Sequence, residues 1–162
     1  MGFEHDLLGL VPQLRRFARS LTRDAADADD LCQTALERAL KARDQWQAGT
    51  RLDAWMYRIM RNCWIDEARS RARHARHLAP EEAGLNISND DHLAAERNLT
   101  LGEVDRALEA LPDEQREVIA LVLVEGLAYK EAAAVLDIPM GTLTSRLVRG
   151  RQALIARLDG GQ

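Results

Sequence analysis

The sequence predicts an all-α protein of two small helical domains joined by a flexible acidic linker, the C-terminal domain containing a helix-turn-helix. Three observations lead there. Apolar residues recur at helical spacing along almost the whole chain, with no convincing alternating strand pattern. From His77 to Asn98 that periodicity fades into Pro80, Gly84, Asn86, Ser88, Asn89 and paired acids, the makeup of a tether. Tyr129 to Arg151, YKEAAAVLDIPMGTLTSRLVRGR, reads as a small-residue helix, a tight turn from Asp137 to Gly141, and a second helix carrying Arg146, Arg149 and Arg151 with no acid. The expected organisation is a first domain over residues 1–76, a linker over 77–98 and a second domain over 99–159.

The elements follow in order. Leu7, Val11, Leu14, Ala18 and Leu21 form one apolar stripe that ends at Thr22-Arg23-Asp24. A second helix is expected from about Asp27 to Ala42, with Asp24 or Asp27 as its N-cap. Trp46 to Thr50 reads as a loop, and a longer helix follows from about Leu52 to Arg73. Beyond the linker, Leu101, Val104, Leu108 and Leu111 mark a helix stopped by Pro112. The next starts at Asp113, is densely apolar from Val118 to Leu123, and ends near Gly126.

The 162 residues carry a net charge of −4, which gives no global sign of nucleic-acid binding. The distribution matters more than the sum. Residues 1–78 have a balance of +3, residues 79–104 one of −5, and Gly141 to Leu158 contains four Arg and no acid. Cys32 and Cys63 have no metal-ligand spacing and are expected as reduced, buried thiols. His74, His77 and His92 lack zinc-ligand spacing with either Cys, so no metal and no cofactor is expected. No phosphate-binding GxxxxGK[ST] loop, GxSxG elbow or paired carboxylate pocket points to an enzyme. The N-terminus has no signal-peptide pattern and no stretch reaches membrane-spanning length, so the expectation is a cytoplasmic protein without membrane insertion.

Three constellations remain. On the helix after that turn, Leu143, Leu147, Gly150 and Leu154 make a buried stripe, while Thr142, Ser145, Arg146 and Arg149 fall on another face. Arg can grip phosphate or pair bidentately with guanine, and Ser and Thr can bond bases or phosphate, so this face suits the DNA major groove. On DADDLCQTALERAL, Leu31, Cys32, Ala35, Leu36 and Ala39 face inward; Asp30, Gln33 and Glu37 group opposite, with Asp29 at their edge. That acidic face is either a solvated, dipole-favoured surface or a docking face for a basic partner. In LDAWMYRIMRNCWIDEARSRAR, Met56, Ile59, Met60 and Cys63 form a core stripe. Trp55, Arg58, Asn62, Asp66 and Arg69 share a second face, and Tyr57, Arg61 and Trp64 a third. Aromatics interleaved with Arg suit unstacked bases on a single strand; the bland alternative makes Trp55 and Trp64 core fillers, and one Trp is expected to be largely core.

In this order, the three segments resemble the extracytoplasmic-function sigma factors, the minimal members of the bacterial sigma-70 family. DADDLCQTALERAL resembles the helix that binds the clamp helices of the RNA polymerase largest subunit, WMYRIMRNCWIDEARSR the segment that melts and reads the −10 element, and ALEALPDEQREVIALVLVEGLAYKEAAAVLDIPMGTLTSRLVRGR the domain that reads the −35 element. The resemblance implies core-polymerase contact through Asp29, Asp30, Gln33 and Glu37, and −10 contacts through Trp55, Tyr57, Arg58, Arg61, Asn62 and Asp66. It places Asn62 beside a base pocket shared with the loop from Trp46 to Arg51, and −35 contacts at Thr142, Ser145, Arg146 and Arg149. It implies as partners core RNA polymerase (largest-subunit clamp helices and flap), promoter DNA and an anti-sigma factor. Two positions depart from the pattern. Thr144 stands where many relatives carry Arg or Lys, and Gly150 replaces a better helix former, at a cost of up to about 1 kcal/mol against Ala. The alternative readings are a sigma-like mimic that sequesters an anti-sigma factor and a conventional helix-turn-helix repressor.

Overall fold

The computed structural model describes residues 2–75 and 99–160, and all of the regular structure there is helical. The expected linker over 77–98 lies outside the described residues, as does the side chain of Leu101. The chain runs α1 (Phe3–Gly9), α2 (Val11–Thr22), α3 (Ala25–Lys41), a 3₁₀ turn (Arg43–Gln45) and α4 (Leu52–Ala75). After the linker come α5 (Leu99–Glu109), α6 (Asp113–Ile119), a π turn (Ala120–Val124), α7 (Tyr129–Leu136) and α8 (Met140–Gly160).

The first apolar stripe is two helices, not one. Leu10 separates them and Pro12 sits in the first turn of α2, where a missing N–H costs nothing. The inward set nonetheless keeps register: Leu7, Leu14, Ala18 and Leu21 are buried, while Val11 is half-exposed. Arg23, in the left-handed region at φ 61°, ends α2. Asp24, not Asp27, then caps α3 by accepting from the Ala26 N–H at 2.8 Å. Arg38 and Lys41 sit in the last turn of α3, where cations favour the helix dipole.

In the N-terminal half, α2, α3 and α4 pack around Phe17, Leu31, Ala35, Met56 and Met60, all fully buried. The aromatic at the centre is Tyr57, 1% exposed, its ring edge-on to Phe17 at 5.0 Å. Trp55 and Trp64 are both half-buried and pack against the edge of the core, and neither is fully enclosed. Cys32 and Cys63 are buried, and burial pushes both thiols above their ordinary pKa.

In the C-terminal half, α8 crosses α6 and packs on α5 and α7 over Leu111, Val118, Leu121, Leu136 and Leu143. Gly150 belongs to that crossing. A Cβ there would lie 2.7 Å from Ile119 Cδ1 and 3.3 Å from Gln115 Cβ. Its low helix propensity is therefore offset by the close approach of two helices. Instead of continuing as an α-helix to Gly126, the segment after Asp113 widens into the π turn.

The two halves also pack against each other, through α4 on α7 and α2 on α6 and the π turn. A tether between separate domains is thus only part of the architecture. We expect Gly150→Leu to lower unfolding stability by about 1–3 kcal/mol in denaturant titration, because overpacking at Ile119 outweighs the gain in helix propensity. A more stable variant would contradict the close crossing.

Candidate nucleic-acid interface

Burial sorts the predicted residues by face. On α3, Leu31, Cys32, Ala35 and Ala39 are buried and Leu36 half-buried, while Asp29, Asp30, Gln33 and Glu37 are all exposed. Asp29 has only a long contact to Arg15 Nε, at 3.9 Å between two well-exposed side chains. Screening leaves little attraction in such a pair. The acidic face is therefore available to a basic surface.

On α4, Arg58 and Asn62 are exposed beside half-exposed Trp55. Phe3 meets both Trp46, at 5.7 Å between ring centroids, and Trp55, at 5.9 Å edge-on. Phe3 thereby ties the loop between α3 and α4 to the first turns of α4. Asp66 accepts from Arg38 Nη1 at 3.2 Å, which fixes it to α3. Arg71 lies over the Trp64 ring at 5.7 Å, within cation–π range.

The remaining two α4 residues face elsewhere in this arrangement. Tyr57 is buried and its hydroxyl donates to Glu125 Oε1 at 3.0 Å. Burial, reinforced by the adjacent Glu125 carboxylate, raises the phenol well above its ordinary pKa. Arg61 grips Glu117 through Nε–Oε2 at 3.0 Å and Nη2–Oε1 at 3.2 Å. The α4 surface is thus divided: Trp55, Arg58, Asn62 and Asp66 are at least partly open, while Tyr57 and Arg61 meet the C-terminal half.

The helix-turn-helix forms where expected. Asp137 closes α7 in the left-handed region at φ 55°, and Pro139 precedes the start of α8 at Met140. Ala132 and Ala133 are buried, letting α7 and α8 approach closely. Leu143, Leu147 and Gly150 are buried and Leu154 half-buried. Ser145 and Arg149 are exposed, and Thr142 and Arg146 half-exposed. All four line an open cleft of about 560 Å³ with Glu114, Gln115 and Gly141. The exposed Glu114 carboxylate lies 3.4 Å from Arg146 Nε. The Thr144 hydroxyl donates to the Met140 carbonyl at 2.9 Å.

Residues absent from the sequence reading complete the picture. Glu125 presents a carboxylate whose side chain is 1% exposed, and Arg16 grips both its oxygens at 2.8 and 2.7 Å. Hydrogen bonding to Glu125 raises the Arg16 pKa against the opposing effect of burial. Arg116, 3% exposed, donates across the interface to the Ser20 carbonyl. A signal was present: Arg116 and Glu117 immediately precede an apolar run, and a charge on such a helix must find a partner when buried.

Residues 9–74 match Sigma-70 region 2, and residues 101–154 match Sigma-70, region 4. The ECF RNA polymerase sigma factor EcfG of Rhodopseudomonas palustris (strain TIE-1) is 39% identical over 159 residues, which cover 97% of this chain and 86% of that one. The chain belongs to the extracytoplasmic-function sigma factors of the sigma-70 family. Among solved structures, the sigma factor RpoE of Bartonella quintana, in complex with the anti-sigma factor NepR, aligns with a TM-score of 0.79 at 31% identity over 97% of this chain and 96% of that one. CnrH, in complex with the cytosolic domain of CnrY, aligns at 0.72 with 27% identity over 99% and 89%. The sigma factors are transcription-initiation factors. No described helix is long and apolar enough to cross a membrane.

Proposed function

We propose that this sigma factor binds core RNA polymerase through the acidic face of α3 and directs promoter-specific initiation. The observation that carries the reading is the pairing of two open faces of opposite charge, one on α3 and one on α8, each within the matching family region. Asp29, Asp30, Gln33 and Glu37 dock on the clamp helices of the largest subunit, while the C-terminal domain meets the flap. Thr142, Ser145, Arg146 and Arg149 read duplex −35 DNA from the major groove. Trp55, Arg58, Asn62 and Asp66, joined by Arg61, receive the non-template strand of the −10 element, while Tyr57, buried on Phe17, supports α4 from the core side. Stacking and phosphate contacts to extruded bases then drive melting without nucleotide hydrolysis.

The domain boundaries go with this division: residues 1–76 for polymerase and −10 contacts, 99–159 for the −35 element, and 77–98 as the tether between them. Polymerase holds the two halves at promoter spacing, so weak contacts from each add through effective concentration. Control by an anti-sigma factor is part of the proposal, supported by the complex with the anti-sigma factor NepR in which the similar RpoE was solved.

Run-off transcription with core polymerase on genomic fragments tests the assignment. Promoter-specific transcripts that depend on this chain are the expected result; none with any fragment would favour a mimic that only sequesters an anti-sigma factor. Asp30→Lys with Glu37→Lys should abolish binding to core polymerase in a pull-down or by fluorescence anisotropy, and unchanged affinity would remove the docking assignment. Arg146→Ala and Arg149→Ala should each weaken −35 duplex binding, by roughly 1–3 kcal/mol where a base contact is lost. Equal binding to every −35 sequence, before and after substitution, would leave that face without a reading role.

A further inference from the structure

Short as it is, α1 reaches the loop between α3 and α4 at two points. Leu7 anchors the helix in the core, and the N–H groups of Leu10 and Leu14 donate to the Leu7 and Leu10 carbonyls, which ties α1 to α2. Toward its N-terminal end, the Phe3 ring meets two tryptophans, tilted 48° to Trp46 and 75° to Trp55. One residue on, Glu4 accepts from Arg43 Nη1 at 3.1 Å, within the 3₁₀ turn that opens the loop. That ion pair joins two open side chains and adds little, so the weight of the contact falls on Phe3.

The loop gains from outside support. Its tip is shaped locally: the Thr50 N–H and hydroxyl both donate to the Gln47 carbonyl, and Gly49 takes φ 92°. Those bonds do not hold the Trp46 side chain, whose indole N–H is buried with no hydrogen-bond partner among the described residues. Ring packing therefore holds it, and Phe3 supplies a ring. The same ring touches Trp55, and Trp55, Arg58 and Asn62 stand in one row along α4 at i, i+3 and i+7. Gln47 to Thr50 are exposed. Phe3 is thus the wedge that sets the loop against the first end of this row.

We propose that Phe3 is a positioning residue for base discrimination at the −10 element: by packing on both Trp46 and Trp55 it fixes the loop at the end of the row of Trp55, Arg58 and Asn62, where an unstacked base meets both. The inference rests on the −10 reading above and gives α1 a part in it. Phe3 itself touches no DNA in this scheme. A base that meets a loop held in advance is compared with one fixed set of donors and acceptors, whereas a loop free to shift repacks around several bases. Losing the ring therefore costs discrimination before it costs overall binding.

The test uses holoenzyme, core polymerase with the full chain, on a promoter found by run-off transcription, with every single-base change in its −10 element assayed in turn. Phe3→Ala is expected to lower the ratio between preferred and poorest base by roughly tenfold at part of the −10 element, the scale of one base discrimination, while the rest keeps its preference. Core-polymerase affinity, −35 duplex affinity and far-ultraviolet circular dichroism should stay at parent values. Acrylamide quenching of tryptophan emission should rise as Trp46 loses its cover. Phe3→Tyr keeps the ring and should restore the ratio, and Leu8→Ala, at an exposed position of the same helix, should leave it unchanged. Where Phe3→Ala does not fold, Phe3→Leu keeps an apolar side chain without a ring, and the same local fall is expected. Unchanged −10 preference, a fall spread evenly over the whole element together with weaker core binding, or an equal fall with Leu8→Ala would each overturn the role of Phe3. A parent that initiates with no −10 base preference at all overturns the −10 reading itself, whereas a parent that discriminates and a Phe3→Ala variant that discriminates equally overturn the role of Phe3 alone.

Discussion

The arrangement of this molecule turns on one buried carboxylate. Glu125 follows the π turn and is carried by it into the N-terminal half, where almost none of its side chain meets solvent. An isolated charge there would be strongly unfavourable. It is stabilised because Arg16 supplies a two-pronged grip and Tyr57 a third hydrogen bond. Those partners come from α2 and α4, so satisfying one side chain fixes three elements relative to one another. Insertion of a π turn after Ile119 is intelligible in the same terms: a regular α-helix would present position 125 in another direction.

Arg116 mirrors this on the other side, reaching the Ser20 and Leu111 carbonyls and Asp113. Burial alone would raise the Asp113 carboxyl, but hydrogen bonds from Arg23 and Arg116 outweigh it, and the group lies below its ordinary pKa. Its contribution to closure is present above the ordinary carboxylate range and fades only as pH falls through the lowered value, far from neutrality. Exchanges of this kind add little net stability, since desolvation consumes much of the attraction. Their geometry is directional, so each pair is satisfied only in one relative placement of the helices that carry it. On α4, core packing closes Tyr57 and the ion pair with Glu117 covers Arg61.

How far the sequence reveals this depends on the range of the interaction. Features set within one helix are legible: the Asp24 cap, the buried stripe of Leu143, Leu147 and Gly150, and the outward set of Asp29, Asp30, Gln33 and Glu37 all follow from helical spacing. Features set between helices are not. The break at Leu10 was hidden because both helices keep their apolar sets pointing the same way. Tyr57 reads as a surface aromatic beside Arg61, yet it is the fully buried aromatic of α4 because Phe17, forty residues earlier, packs against its ring. Gly150 looks like a weak point in a helix until Ile119 is placed against it.

Two small observations on α8 bear on how such a helix would discriminate between sequences. The Thr144 hydroxyl is bonded to the Met140 carbonyl, so its proton is already committed within the helix and only its acceptor capacity faces outward. The loss relative to an Arg or Lys there is therefore of a donor as well as of charge. Arg146 is half-exposed and lies 3.4 Å from Glu114, whereas Arg149 is exposed. The Glu114 carboxylate is itself 67% exposed, so it orients that guanidinium only weakly and would have to yield it to any anion bound on this face.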